Sequence, residues 1–271
     1  MTSRSDAVEL ARDALAALGE GARDLCAGAA RLMLFVVSVL RHGALPPAGP
    51  LAEQCWVLSR QCVLPVTLVV LPMGALISLQ GASLIESFGV ERLLAPLVAL
   101  TAVRELAPGF AAMMVAMQAG TAVSAEVAVM RVREELDAYE LMAVDPLRHV
   151  VAPRLWAGML VAPLLSVLAL LWAVMGAWAV AVGARGFASR AFLEGCLVTI
   201  TPWDLAAMTI KSAVFGLVLC AVACFEGWYA RGGALGVGRA TNRAVVGAIL
   251  GILMFNYVLN SLLYGAPAVF T

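Results

Sequence analysis

Three ionisable side chains sit in stretches of this 271-residue chain that are otherwise apolar enough for lipid. Arg104 and Glu105 interrupt the run 93–125 just ahead of Pro108, and Lys211, the one lysine, lies inside TIKSAVFGLVLCAVACF. A charge at the centre of a bilayer costs about 3 kcal/mol or more, so such a group is read first as functional. Taking about 20 residues per crossing and counting back from Met130 and Glu226, Glu105 falls near the outer boundary and Lys211 about a turn inside it. At that shared depth they can face one cavity or pair, which suits a ligand with an apolar body and a charged head. The alternative stays open: Lys211 snorkels to outer head groups and Glu105 lies in a loop.

Acid–base and nucleophilic chemistry has little to work with. The two histidines, His42 and His149, lie outside the long apolar runs, and no HExxH occurs. The six cysteines (26, 55, 62, 196, 220 and 224) include no CxxC, and Cys220 and Cys224, on one helix face, read as packed thiols rather than a metal pair. An intramembrane lipid-modifying enzyme built on Glu105 or a cysteine would lack a paired nucleophile and base. The expectation is a non-catalytic chain with no cofactor or metal of its own.

Those charges need helices to hold them. A chain that is 62% hydrophobic and 13% charged, with a mean hydropathy of +0.93, is outside the soluble globular range and fits a polytopic, all-α membrane protein. Five runs approach the length of a crossing: Cys62–Leu79, Leu106–Ala125 (with Leu93–Val103 before it), Leu155–Ala184, Leu205–Phe225 and Ala244–Tyr264. Pro65 and Pro72 are expected to kink the first. Leu32–Leu40 is too short to cross. Segment 1–41 has apolar residues at helical spacing with Asp and Arg between them, suiting a helix that lies on the membrane surface, and its first twenty residues, MTSRSDAVELARDALAALGE, are expected not to be a cleaved signal, having no apolar core. Gly43–Pro50 reads as the break before the first span. The domain reading is therefore an interfacial helix in 1–50 and a five-span domain in 51–271.

Thirteen of the eighteen basic residues fall in the first 61 positions, in 131–154 and in 226–243. The excess of Arg and Lys marks the cytoplasmic side, so the N-terminus and both loops are placed there and the C-terminus opposite.

The block 131–154 is the chain's one dense charged segment, with four Arg, five acidic residues and a His. Glu134–Met142 should form a short helix with Leu136, Tyr139 and Ala143 as one apolar stripe. Glu134, Glu135, Asp137 and Glu140 occupy its other faces. Asp145 can cap a following helix whose first position is Pro146. Two readings stand side by side: a solvated hairpin between spans, or a coupling helix that inserts its stripe into a cytoplasmic partner. No GxxxxGK[ST] occurs, so ATP-driven work would need an ATPase on another polypeptide. The stretch GGALGVGRATNR (232–243) lacks GxGxxG spacing and a preceding strand, and reads as a tight turn before the last span.

RELAP (104–108), AEVAVMRVREELDAYELMAVDPLRHVVAPRLWAG (125–158), IKSAVFG (210–216) and GVGRATNRAVV (236–246) occur in that order. Together they resemble the MlaE/YrbE permeases, membrane subunits of ABC systems that work with Mce-domain proteins. The resemblance covers roughly 50–265 and is closest to the proteobacterial phospholipid-transport branch. It implies a homodimer in a bacterial inner membrane, two ATPase subunits that bind the ATP, a periplasmic Mce-domain protein, and a phospholipid pocket at the dimer centre. By motif match it places Arg104, Glu105 and Lys211 at that pocket. The ATPase-coupling helix falls on Glu134, Glu135, Leu136, Asp137, Tyr139, Glu140 and Met142. Two departures stand out: Met117-Gln118 where the family commonly has Gly-Arg, and RELAP where RELGP is usual, so that Ala107 is expected to alter that turn. Another hydrophobic substrate, such as a sterol or fatty acid, or a passive anchor for the Mce assembly, are the alternative readings.

Overall fold

The computed structural model describes residues 28, 30–39, 41, 46, 48–88 and 93–265. The chain divides into two compact units, 1–44 and 45–271. In the first, α1 (Ala30–Val39) is a ten-residue apolar helix, and most of the expected surface helix lies outside the described residues. The second is helical, with no strand among the described residues. Its elements are α2 (Ala48–Phe88), α3 (Leu94–Val132), α4 (Glu135–Leu141), α5 (Leu147–Gly183), α6 (Ser189–Thr199), α7 (Pro202–Trp228) and α8 (Gly233–Tyr264).

Helices α2, α3, α5, α7 and α8 are long and apolar enough to cross a membrane, one for each expected span. Even α7, at 27 residues, reaches about 40 Å, past the ~30 Å of a hydrocarbon layer. Between lipid-facing helices there is no hydrophobic drive to associate, so close backbone approach must supply the packing. Two reciprocal glycine pairs provide it. A Cβ on Gly74 of α2 would strike the Ala173 carbonyl of α5, and one on Gly176 would strike the Leu71 carbonyl of α2. Gly158 of α5 and Gly216 of α7 meet each other's carbonyls in the same way. Pro65 and Pro72 both lie within the continuous α2.

Three features depart from the expected elements. The glycine-rich stretch 232–243 is not a turn. The turn closes at Gly232 and Gly233, both at positive φ, and α8 starts at Gly233. The rest is helical because Gly236, Ala240, Ala244, Ala248 and Ile252 recur every four residues as the stripe α8 buries. Elsewhere α8 is nearly bare, with only 11% of its most apolar window buried. Helix α6 was not among the expected elements. It packs Phe192 and Cys196 against Leu94, Ala95, Val98 and Ala99 of α3, Ala82 of α2, and Ala177 and Ala181 of α5. Finally, α3 contains two π-helical turns, Ala102–Leu106 and Ala116–Gly120, and α5 begins with a third, Leu147–Val151.

Candidate functional site

Arg104 and Glu105 owe their placement to Pro108. Proline has no N–H to give the carbonyl four residues earlier, and its ring crowds that carbonyl. The orphaned acceptor is that of Arg104, and here α3 takes up its first π-turn, with the Ala107 N–H reaching the Ala102 carbonyl. Lys211 of α7 supplies the missing donor: its ammonium gives a hydrogen bond of 2.6 Å to the Arg104 carbonyl. Its other two contacts are the Asn260 Oδ1 at 2.8 Å and the Glu105 Oε1 at 3.4 Å. An ammonium has three protons, and all three are directed at acceptors inside this chain. Lys211 is fully buried.

Glu105 is half exposed and is gripped from α8, where Asn260 donates to Oε1 at 2.6 Å and Asn256 to Oε2 at 3.0 Å. Arg104 is fixed from a different side. Its Nε donates to Asp204 Oδ1 at 2.9 Å, and its guanidinium carbon stands 4.4 Å from the centre of the Tyr264 ring. Asp204, almost wholly buried, belongs to a capping box with Thr201 at the start of α7; Thr201 donates to it through Oγ1 at 2.6 Å and through its backbone N–H at 3.1 Å. Such a cap stabilises by about 1 kcal/mol. The Nη1 and Nη2 atoms of Arg104 make no hydrogen bond among the described residues, and its side chain is 40% exposed. A guanidinium clamped at Nε with its fork free is preorganised for a bidentate oxyanion.

The three sequence candidates thus come together, Glu105 with Lys211 directly and Arg104 beside them. Asp204, Asn256, Asn260 and Tyr264 complete the cluster without having been anticipated. The signal for three of them was present, since Asn256, Asn260 and Tyr264 recur at i, i+4 and i+8 on the largely apolar second half of α8.

At the opposite end of the bundle, Arg154 of α5 is buried and bonds the Val150 carbonyl at 2.7 Å and Glu126 of α3 at 3.0 Å. Next to it, α4 spans Glu135–Leu141, entered through Glu134 in the left-handed region. Ala143, also left-handed, closes it: its N–H reaches Glu140 O while that of Val144 reaches Tyr139 O, the two bonds of a Schellman motif. Arg131 and Asp137 pair at 2.6 Å. The expected stripe is altered. Leu136 is buried within its own chain, Tyr139 is half-buried and Ala143 lies past the helix end, whereas Leu141 and Met142 stand 89% and 64% exposed. Helical spacing correctly put Leu136 and Tyr139 on one face, but that face turns inward. Asp145 caps the next segment as expected, accepting from the Leu147 N–H at 2.9 Å.

The family model described as Permease MlaE matches residues 51–262, from the start of α2 nearly to the end of α8. The chain belongs to the MlaE permease family. It is 34% identical, over 93% of its length and 98% of the relative's, to the intermembrane phospholipid transport system permease protein MlaE of Haemophilus influenzae. A Rickettsia felis protein named as a probable ABC transporter permease is 36% identical over 70% of this chain and 74% of its own. The chloroplastic protein Trigalactosyldiacylglycerol 1 of Arabidopsis thaliana is 29% identical over 75% of this chain and 57% of its own. The chain is therefore a multi-pass ABC-type permease.

Several motif residues of this MlaE-family permease now have physical reasons. In PRLWAG, Arg154 ties α5 to α3 and Gly158 lets α7 approach; in GVGRAT, Gly236 and Ala240 are the buried small residues of α8. Ala107 is fully buried directly after the first π-turn. Met117 and Gln118 lie in the second, both exposed.

Proposed function

We propose that this chain is the permease subunit of an ABC transporter that moves phospholipid between a bacterial inner membrane and a periplasmic Mce-domain protein. In this reading two copies form a homodimer, and a separate ATPase polypeptide binds and hydrolyses ATP. The observation that carries the site is the free fork of Arg104, held by Asp204 and Tyr264 at the edge of an apolar bundle. It suits a phosphodiester, while acyl chains lie against apolar helix faces. Lys211 and Glu105 hold the turn that presents Arg104. ATP-driven closure, transmitted through Glu134–Met142, narrows the cavity and expels lipid; it works because the two states differ in lipid affinity.

The test is ATP-dependent transfer of a fluorescent phospholipid from proteoliposomes holding the full complex. Arg104→Gln is expected to reduce transfer about tenfold, the scale of one charge-assisted contact, with the complex still assembled. Unchanged transfer would point to a passive anchor, and transfer of sterol or fatty acid alone to another substrate.

A further inference from the structure

Helix α3 has a burial pattern that a straight helix cannot hold on one side. From Ala107 to Met130, two buried residues alternate with two unburied ones every four positions without a break. At 3.6 residues per turn a four-residue step overshoots by about 40°, so the six steps from Thr101 to Ala125 drift by about 240°. Each π-turn places one extra residue in a turn and returns about 100°. The two π-turns, 102–106 and 116–120, therefore cancel most of the drift. The unburied face stays a single track from Glu105 at one end, past Met113 and Met117, to Glu126 at the other.

Gln118 sits on this track midway, about 20 Å along the helix from both Glu105 and Val132. Its carbonyl and that of Met117 are served by the Thr121 hydroxyl at 2.8 and 2.9 Å. Its carboxamide is exposed and makes no hydrogen bond among the described residues. A primary amide at that depth is unfavourable in lipid unless something polar meets it.

We propose that Gln118 is a mid-membrane binding station on the lipid path, its amide N–H donating to an ester carbonyl or phosphodiester oxygen of a phospholipid in transit. The inference rests on the phospholipid-permease reading. Continuity of the track with the Arg104–Glu105 cluster favours lipid over a second copy of the chain as the occupant. Flexible Met113 and Met117 beside it adapt to acyl chains of any shape.

The test has two arms, both on the full complex. In transfer assays Gln118→Leu should lower phospholipid transfer at least fivefold, with assembly and detergent stability unchanged, and Gln118→Asn should recover part of it. In the second arm, Gln118→Cys bearing a benzophenone is irradiated in the membrane, and a phospholipid adduct is expected by mass. Full transfer by Gln118→Leu, or cross-linking only to a second copy of the chain, overturns the station. If the unsubstituted complex transfers no phospholipid, the functional reading falls, and the adduct arm still decides whether lipid reaches Gln118.

Discussion

Lys211 shows how one residue supports several others. Its ammonium compensates the Arg104 carbonyl that Pro108 leaves without a donor, and it neutralises Glu105 at the same time. Lys211 is buried while Glu105 is half exposed, so removing the ammonium strands the Arg104 carbonyl, the Asn260 oxygen and a partly solvated carboxylate together. Lys211→Met is therefore expected to cost about 3 kcal/mol, and Glu105→Gln in the same chain should recover at least about 1 kcal/mol in a double-mutant cycle followed by unfolding in micelles. Strict additivity of the two changes would refute the pairing as an energetic unit. A gentler case is Ala143, whose left-handed backbone suits glycine. Ala143→Gly should leave stability unchanged or raise it by up to about 1 kcal/mol, read by the same unfolding experiment.

Helix contacts depend on backbone approach, so their sensitivity is sharply local. Gly176→Val drives a side chain into the Leu71 carbonyl and is expected to cost about 3 kcal/mol, whereas Gly183→Ala, with open space around its Cβ, should cost little. Equal effects in thermal unfolding would contradict the glycine-mediated packing of α2 on α5. The same contrast applies to α4. Because Leu136 is buried and Leu141 and Met142 project, Leu141→Asp with Met142→Asp should release the ATPase from an intact permease, and Leu136→Asp should destabilise the loop itself. Retention of the ATPase by the first variant in co-purification would count against α4 as the coupling element. The five spans were legible because each needs a long apolar run. The helical start of α8 was not, since Gly and Arg mask a four-residue stripe of small buried positions. The π-turn at Arg104 was also hidden: Pro108 announces a disturbance, but the donor that resolves it stands on another helix, 107 positions away. For α4, spacing identified which residues share a face and left the direction of that face to tertiary packing.

For the molecule as a whole, the excess of Arg and Lys on one side predicts an orientation that a labelling experiment reads directly. In a background with the native cysteines replaced by alanine, Leu141→Cys and Val198→Cys should react with a membrane-impermeant maleimide from opposite sides, the first only from the cytoplasm. Both positions are more than four-fifths exposed. Labelling from one side would overturn the five-span orientation. The polar cluster also has a history in time. Glu105 enters the membrane early in synthesis, while its partners Lys211 and Asn260 lie 106 and 155 residues downstream. At roughly 5–20 residues per second the ribosome delivers Asn260 on the order of ten to thirty seconds after Glu105. Lys211 arrives first, about five to twenty seconds after Glu105, so a chain stopped before α8 holds the carboxylate against the ammonium alone, without the amide donors of Asn256 and Asn260. The site therefore closes in two stages along the chain, the ion pair with α7 first and the amide grip from α8 last.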